Sequence, residues 1–168
     1  MVEFAGLGAV GVRPASPADF PRIAELTVGA YRDDGLAPAE YVPVLADVAA
    51  RATAAELLVA CADDGAVLGS VALVLDGAFG EVTAGPEEAA FRMLAVDPAA
   101  RGQGVGERLV LACLDAARAA DKRRMVLSTD TRMAAAHRLY ERLGFTRLPE
   151  RDWSPLPGID LLVYALDL

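Results

Sequence analysis

The chain has 168 residues, of which 54% are hydrophobic and 24% are charged. This length and composition predict one globular domain, spanning residues 1–168, and not a disordered chain. The net charge of −8 argues against a nucleic-acid-binding protein, because binding to phosphates requires a basic surface. The sequence contains no apolar run long enough to span a membrane and no signal-peptide pattern at its start. We therefore expect a cytoplasmic protein that does not enter the membrane.

The first half of the chain is predicted to contain a short strand, two helices and a β-hairpin. The strand covers residues 10–13, and a Ser-Pro pair followed by apolar residues at helical spacing predicts a helix over residues 17–35. A second helical pattern covers residues 38–53. Two apolar runs, residues 57–62 and 67–75, flank an Asp-Gly pair, which favours a hairpin of antiparallel strands.

The second half is predicted to alternate between strands and helices. The predicted elements are a strand at 91–96, a helix at 104–120, a strand at 124–127, a helix at 131–143, and strands at 145–148 and 159–166. Apolar residues at helical spacing support both helices, and Gly144 follows the second one where helices commonly end. The segment between the last two strands is rich in Pro and is predicted to be a loop.

The two cysteines, Cys61 and Cys113, fall in a predicted strand and a predicted helix. Neither has a CxxC partner or a neighbouring His that would indicate a metal ligand set. A buried thiol of this kind packs like a small apolar side chain. We therefore expect two buried, reduced thiols and no metal site.

A glycine-rich loop follows the strand predicted at residues 91–96. Its sequence, Arg101-Gly102-Gln103-Gly104-Val105-Gly106, leads directly into a predicted helix. The three glycines allow positive φ angles and close approach of a ligand, and the N–H groups of a helix N-terminus bind anions. The pattern predicts a pyrophosphate site in which backbone donors contribute most of the binding and Arg101 adds a charged contact.

Other phosphate-binding motifs fit this loop poorly. A Walker loop requires a Lys after its last glycine, and none follows here. A dinucleotide-binding fingerprint requires GxGxxG, but Glu107 stands where the third glycine would be. That fingerprint also follows the first strand of its sheet, whereas several predicted strands precede this loop. The structural alternative is a flexible entry into the helix that binds no ligand.

Two segments of the chain resemble motifs of the GNAT superfamily of N-acetyltransferases. Residues 101–106 match the R/Q-x-x-G-x-G/A signature of that family, and residues 136–145 resemble its A-x-x-L-Y-x-x-x-G-F helix. The two segments stand in the order found in the family. The resemblance implies an α/β fold with a mixed, mostly antiparallel central sheet of six to seven strands, flanked by about four helices.

The resemblance also implies that acetyl-CoA is the cofactor. In the family arrangement, the backbone of Leu94, Ala95 and Val96 pairs with the pantetheine amides, and residues 101–106 bind the pyrophosphate. The pantetheine arm is expected between the strand that ends at Val96 and the strand that ends near Ser128.

One position departs from the family pattern. The family often has Asn where this chain has Met133. Any cofactor contact that this amide usually makes is therefore lost here or supplied by a neighbouring side chain such as Thr129 or Thr131. We include Thr129 and Met133 among the expected cofactor-binding residues.

The resemblance implies that a primary amine attacks the acetyl thioester directly. The thioester is already activated, so an amine in the correct position needs no covalent nucleophile, and neither Cys113 nor Ser128 needs to take part. An alkyl amine with a pKa of about 10.4 is only ~10⁻³ to 10⁻⁴ neutral at pH 7, so a base or a desolvating pocket must assist. Glu88 is the first candidate base, with Glu81 and Glu87 as alternatives. Solvated loop carboxylates would show the same pattern.

Tyr140 lies on the apolar face of the helix predicted at residues 131–143. The resemblance implies that Tyr140 is the acid that protonates the leaving thiolate, and the alternative is a core aromatic with a hydrogen-bonded hydroxyl. His137, the single His of the chain, is interpreted as a residue of the helix surface or of the cofactor edge. Trp153 is interpreted either as a wall of the acceptor pocket or as packing within its loop.

Two other functions are compatible with parts of this pattern. A regulatory domain of the same fold could bind CoA without turnover, and thiol release with amines would distinguish it from an enzyme. A hydrolase with a Ser or Cys nucleophile is disfavoured, because the sequence has no GxSxG segment and no His placed as a partner. The acidic composition favours a cationic acceptor. The apolar segment 159–166, together with the resemblance, favours a homodimer.

Overall fold

The computed structural model describes residues 3–4, 8–33, 35, 38–76 and 83–168. The chain divides into two compact units. The first unit contains residues 1–73 and 93–113, and the second contains residues 74–92 and 114–168. The strand formed by Glu88–Val96 begins in the second unit and ends in the first.

The described residues form ten strands and five helices. The strands are β1 (Glu3–Phe4), β2 (Gly8–Ala9), β3 (Gly11–Pro14), β4 (Glu56–Cys61), β5 (Val67–Val74), β6 (Glu88–Val96), β7 (Arg124–Asp130), β8 (Thr146–Arg147), β9 (Trp153–Leu156) and β10 (Ile159–Asp167). The helices are α1 (Phe20–Asp33), α2 (Val42–Ala46), α3 (Val48–Ala54), α4 (Val105–Ala119) and α5 (Ala134–Arg142). None of these helices is both long and apolar enough to cross a membrane.

In the first unit, β3, β4 and β5 are antiparallel neighbours. The predicted hairpin is confirmed, since Glu56 at the start of β4 faces Leu73 near the end of β5. Gly65 in the turn has a φ of +87°, and the carboxylate of Asp64 accepts a hydrogen bond of 2.9 Å from the N–H of Ala66. The Asp-Gly pair therefore closes the turn by a side-chain contact and a left-handed glycine.

Helix α1 packs its apolar stripe into the core of the first unit. Ile23 and Leu26 of α1 join Val48 of α3 and Leu57 of β4 in one buried cluster. The predicted helix is confirmed, with a short 3-10 turn at Pro17–Asp19 leading into α1. This core includes Ala95 of β6, one of the predicted pantetheine-binding residues.

The helical pattern predicted over residues 38–53 forms two short helices, α2 and α3. The chain leaves helical geometry at Asp47, where φ is −83° and ψ is 72°, and the Asp47 carboxylate accepts a hydrogen bond of 3.1 Å from the N–H of Ala50. Arg51 is buried and donates to the carbonyl of Leu45 at 3.1 Å, which links α3 to α2. Asp is a favoured N-cap residue, so the prediction of one continuous helix from apolar spacing was wrong.

In the second unit, β7 pairs with β10 in antiparallel fashion from Asp130↔Leu161 to Arg124↔Asp167. The other edge of β10 pairs with β8 and β9. Both edges of β10 are therefore occupied over much of its length. The apolar last strand, which favoured a homodimer in the sequence, leaves little edge for pairing with a second copy.

The mixed, mostly antiparallel sheet predicted from the sequence is confirmed, with β6 and β7 as a parallel pair. Two counts differ from the prediction. The main sheet has eight strands among the described residues, because part of the Pro-rich segment pairs with β10 as β9. Pro155 is tolerated there because β9 is an edge strand. The part of the chain that the structure describes has five helices, because Asp47 divides the second predicted helix.

Candidate functional site

The glycine loop is reached from β6 through a hydrogen-bonded turn. β6 ends at Val96, and the carboxylate of the next residue, Asp97, accepts a hydrogen bond of 2.8 Å from the N–H of Ala99. The N–H of Asp97 donates to the carbonyl of Leu68 at 2.8 Å. These two contacts fix the direction in which the chain enters the loop before α4 begins at Val105.

Two of the three loop glycines have left-handed backbone conformations. The φ angle is +76° at Gly102 and +81° at Gly104, whereas Gly106 lies in the first turn of α4. A side chain would strain the first two positions. The first N–H groups of a helix have no carbonyl partner within the helix and lie at the positive end of its dipole. This geometry presents backbone donors that suit an anion.

The side chains of the loop add an unpaired buried acceptor and an exposed cation. Gln103 donates from Nε2 to the carbonyl of Ala99 at 3.3 Å, while its Oε1 is buried without a hydrogen-bond partner among the described residues. Arg101 is exposed. A buried acceptor without a donor is costly, so a ligand N–H at Gln103 Oε1 would be stabilising.

Strand β6 is irregular just before the residues predicted to bind pantetheine. Met93 has a φ of +55° although it is not a glycine, and a strand residue seldom adopts this conformation. Met93 and Ala95 are buried, whereas Leu94 and Val96 are partly exposed. The three predicted pantetheine-binding residues therefore directly follow an interruption of the regular strand.

Strand β7 extends beyond its pairing with β6. The parallel register runs from Glu88↔Arg124 to Ala90↔Val126, whereas β7 continues to Asp130 and stays paired with β10. The last residues of β7 therefore have one edge bonded to β10 and no register with β6 within the described part of the chain. An extended ligand can bind to such an edge through backbone hydrogen bonds.

Thr129 lies near the end of β7 and is 4% exposed. Its Oγ1 is buried and has no hydrogen-bond partner in the described ranges, so the hydroxyl can donate to or accept from a ligand. Met133 is half-buried at the start of α5, where its N–H donates to the carbonyl of Asp130 at 3.0 Å. A thioether is a weak acceptor, so Thr129 is better suited than Met133 to a polar contact.

Glu88 opens β6, and both of its carboxylate oxygens are engaged. Arg151 donates to Oε1 and to Oε2 at 2.9 Å each, and the N–H of Ala84 donates to Oε1 at 2.7 Å. Nη1 of Arg124 lies 3.9 Å from Oε2, and the Glu88 side chain is 11% exposed. Burial raises the pKa of the Glu88 carboxyl, but the hydrogen bonds from Arg151 and Ala84 outweigh it, so the pKa is lowered overall.

This environment does not suit Glu88 to the role of base. A carboxylate with a lowered pKa is a weak proton acceptor at neutral pH, and Arg151 occupies both of its oxygens. Among the alternatives, Glu87 is exposed, and Glu81 lies outside the described residues. Arg151 is 63 residues from Glu88 in sequence, so nothing in the sequence near Glu88 indicated this ion pair.

Tyr140 lies on the inner face of α5, as the helical spacing predicts, and is 5% exposed. Its ring centroid lies 5.8 Å from that of Phe91, 5.9 Å from that of Phe145 and 6.1 Å from that of Tyr164. Gly144, with a φ of +97°, follows the end of the helix as predicted. Ring packing restricts Tyr140, and removing only its hydroxyl would leave these ring contacts in place.

Two polar contacts near the end of β7 were not indicated by the sequence. Nε1–H of Trp153 donates to Oγ of Ser128 at 3.0 Å, which anchors the start of β9 to β7. Nε2 of His137 lies 2.9 Å from the carbonyl oxygen of Asp130, and the His137 ring centroid lies 5.8 Å from that of Tyr164. These side chains come from separate elements, so only the tertiary fold brings them together.

The two residues considered as covalent nucleophiles are poorly suited to that role. Cys113 is fully buried, and burial raises the pKa of its thiol to about 12, which leaves almost no thiolate at neutral pH. Ser128 is hydrogen-bonded to Trp153. Among the residues that the structure describes, no group of three or more His, Cys, Asp or Glu side chains is arranged to hold a metal ion.

Sequence comparisons identify one family and one partial relative. A model of the acetyltransferase (GNAT) family matches residues 20–145, about three quarters of the chain. A mycothiol acetyltransferase from Streptosporangium roseum is 47% identical over 55 residues, which are 33% of this chain and 16% of that protein. The match therefore spans only a small part of the length of that relative.

Solved structures of similar fold cover almost the whole chain. An acetyltransferase of the GNAT family from Staphylococcus aureus Mu50 has a TM-score of 0.74 at 16% identity, with 95% of this chain and 99% of that chain covered. A Gcn5-related N-acetyltransferase from Kribbella flavida has a TM-score of 0.71 at 26% identity, with 95% and 98% covered. YncA from Salmonella typhimurium, in a structure with its cofactor acetyl-CoA, has a TM-score of 0.69 at 25% identity, with 96% and 95% covered.

Proposed function

This chain belongs to the acetyltransferase (GNAT) family, and we propose that it transfers an acetyl group from acetyl-CoA to a primary amine. The observation that carries the proposal is the loop at residues 101–106, where left-handed glycines and the first turn of α4 present backbone donors. The family match includes parts of both compact units. We therefore also propose that residues 1–168 act as one domain.

The polar groups without partners fit the chemistry of CoA. Its pyrophosphate is an anion that suits the N–H groups of the loop and the exposed Arg101. Its pantetheine amides contain donors and acceptors, which suit Gln103 Oε1 and the backbone of residues 94–96 in the first unit. In the second unit, Thr129 Oγ1 is a hydroxyl that can pair with a group of the same kind. When bound, acetyl-CoA supplies the acetyl group as an activated thioester.

We assign Tyr140 the role of general acid, which donates a proton to the departing sulfur. The ordinary pKa of a phenol is about 10 and that of a thiol about 8.5, so this proton transfer has a small free-energy cost. Packing against Phe91 and Phe145 restricts the movement of the ring. A restricted donor loses little entropy when it forms the required hydrogen bond.

Formation of the neutral amine is assigned to desolvation, with the ammonium proton released to solvent, since the Glu88 carboxylate is occupied by Arg151. The second proton, which the nitrogen loses after attack, balances the proton that Tyr140 gives to the departing sulfur. Removal of an ammonium group from water lowers its pKa and increases the neutral, nucleophilic fraction. This assignment supports direct attack of the amine and requires no covalent enzyme intermediate.

We propose that the acceptor is cationic. The net charge of the chain is −8, and a protein of that charge attracts cations through a field that salt screens. Polyamines, amino sugars, exposed Lys side chains and protein N-termini are acceptors of this class.

A second candidate function is a CoA-binding regulatory domain without turnover. The engagement of Glu88 by Arg151 favours this candidate, because the carboxylate first expected to act as base is already paired. Both candidates predict CoA binding, and only the enzyme predicts acceptor-dependent release of free thiol.

Thiol release from acetyl-CoA with a panel of amines tests the proposed function. The panel compares diamines with ω-amino acids of the same chain length, so that the nucleophile is a terminal primary amine in both and the charge at the other end of the molecule changes. We expect acceptor-dependent release, with kcat/KM at least about tenfold higher for the diamines and falling as ionic strength rises.

Three outcomes would contradict parts of this proposal. CoA binding without acceptor-dependent release would favour the regulatory domain. Failure to bind CoA in calorimetric titration would contradict both functions. Equal rates for diamines and amino acids, insensitive to salt, would remove the argument for a cationic acceptor.

A further inference from the structure

Arg22 of helix α1 joins three parts of the first unit through its guanidinium group. Nη2 pairs with the carboxylate of Asp97, which directly follows β6, and Nε donates to the carbonyl of Val67 at 3.2 Å. Nη1 lies 3.2 Å from Oε2 of Glu25 on the same helix. The side chains of Arg22 and Asp97 are 34% and 24% exposed, so solvent screens this pair less than a fully exposed one.

The two carboxylate oxygens of Asp97 have different partners: one pairs with Arg22, and the other caps the turn before the glycine loop. Oδ2 faces Arg22, and Oδ1 accepts the 2.8 Å hydrogen bond from the N–H of Ala99. Rotation of the Asp97 side chain would break both contacts together. Arg22 therefore restricts the carboxylate that caps the turn.

The other end of the loop is fixed by close packing at Gly69 in β5. A β-carbon at this glycine would lie 3.0 Å from Cγ1 of Val105 and 3.1 Å from Cδ1 of Leu109. The absence of a side chain lets the first turns of α4 approach β5 closely. The loop runs between this packed helix start and the Asp97 turn, and its glycines add no side-chain restraint of their own.

We propose that Arg22 is a positioning residue for the cofactor loop: it holds the turn capped by Asp97, so that residues 101–104 are ordered before the cofactor binds. This inference rests on the proposed function, since the ligand of the loop is taken to be CoA. An ordered loop loses less conformational entropy on binding. Because Arg22 acts through Asp97, its loss affects cofactor affinity and leaves kcat at saturation nearly unchanged.

Arg22→Gln tests this role, with Arg13→Gln as the matched control. Arg13 pairs with Asp19 at 2.7 Å just before α1, so its replacement removes an ion pair of the same type away from the loop. We expect Arg22→Gln to raise the Kd for CoA and the KM for acetyl-CoA about tenfold, the scale of one lost charge-assisted contact. Arg13→Gln should leave both constants close to the wild-type values, and kcat at saturation should change little in either variant.

Amide hydrogen exchange of the ligand-free protein gives a second readout that does not depend on CoA. Arg22→Gln should accelerate exchange at residues 99–106, and Arg13→Gln should not. Arg22→Lys keeps the charge but lacks the planar fork that reaches several partners, so it should restore part of the affinity. This variant also keeps the test valid if Arg22→Gln fails to fold.

The outcomes separate this inference from the proposed function. If the wild-type protein does not bind CoA, the proposed function fails, and hydrogen exchange still decides whether Arg22 orders the loop. If the wild-type protein binds CoA and Arg22→Gln changes neither Kd nor exchange, the positioning role alone is overturned. Equal losses in Arg22→Gln and Arg13→Gln would also overturn it, because they would reflect general stability.

Discussion

The glycine loop leaves polar groups without partners, whereas the surroundings of Glu88 supply a partner for each carboxylate oxygen. In the loop, Oε1 of Gln103 is buried without a partner in the described part of the chain, and the first N–H groups of α4 have none within the helix. Around Glu88, Arg151 donates to both oxygens and Arg124 adds a second cation. The unpaired polar groups of the loop can form hydrogen bonds to a ligand, whereas both carboxylate oxygens of Glu88 are already hydrogen-bonded within the fold.

This difference separates polar groups that are available to bind a ligand from polar groups that stabilise the fold. A hydrogen bond to a charged group contributes about 1.5–3 kcal/mol, and a buried group left without a partner costs a similar amount. A ligand can therefore gain free energy at Gln103, whereas at Glu88 it would first have to displace Arg151. An acidic residue at a suitable position in the sequence is consequently weak evidence for a catalytic base.

The largest expected effect is that of replacing Tyr140. This substitution tests whether Tyr140, in the second unit, acts as a general acid or only packs against its neighbours. Tyr140→Phe should lower kcat by about 10² to 10⁴, closer to the lower value because a thiolate leaves readily. The ring contacts with Phe91 and Phe145 remain, so CoA affinity and Tm should change little. Thiol release at saturating acetyl-CoA and acceptor, together with a thermal melt, measures both properties.

Tyr164→Phe is the matched control for this experiment. Tyr164 belongs to the same aromatic cluster, and its hydroxyl donates to Oε1 of Glu141 at 3.1 Å. This variant should keep kcat close to the wild-type value. A Tyr140→Phe protein with nearly unchanged kcat would show that Tyr140 is a packing residue and that water protonates the departing thiolate. Equal losses in the two variants would point to the stability of the cluster.

The next largest effect concerns Gly104 and tests whether the open donors of the loop bind the cofactor. Gly104 has a φ of +81°, and a β-branched side chain there costs about 1–3 kcal/mol of strain. Gly104→Val should therefore raise the Kd for CoA by about 10- to 100-fold in calorimetric titration. Gly65→Val imposes comparable strain at a φ of +87° in the β4–β5 turn and should leave the Kd unchanged. Wild-type affinity in Gly104→Val would remove the loop from the cofactor site.

The sequence could predict the loop because its geometry is local. Positive φ at Gly102 and Gly104 follows from a property of glycine itself, and the hairpin and helix patterns are equally local. The pairing of Glu88 with Arg151 joins residues 63 positions apart and leaves no periodic signal. The strand that contains Pro155 was missed for a related reason, since a Pro-rich segment resembles a loop until a neighbouring strand is available for pairing.

The smallest expected effect on activity concerns Glu88. Glu88→Gln should leave kcat near the wild-type value, because no proton is assigned to this carboxylate. The substitution removes the negative charge that pairs with Arg151 at this position, so the free energy of unfolding should fall by about 1–3 kcal/mol. Glu87→Gln, at the exposed neighbouring position, should change neither property. Thiol release and urea denaturation measure the two quantities.

The pH dependence of this stability difference distinguishes a lost ion pair from disturbed packing. The pKa of Glu88 is lowered in the folded protein, so the pair contributes fully above the unfolded-state pKa of about 4.3. As the pH falls below this value and through the lowered pKa of folded Glu88, protonation of the Glu88 carboxyl removes the contribution of the ion pair to the free energy of unfolding. The carboxyls of Asp19, Asp97 and Asp130, whose pKa values are also lowered, titrate in both proteins and cancel in the difference.

The difference in free energy of unfolding between wild type and Glu88→Gln should therefore be constant near neutral pH and shrink below about pH 4. A difference independent of pH would show that Gln disturbs packing, and a hundredfold loss of kcat would restore Glu88 as the base.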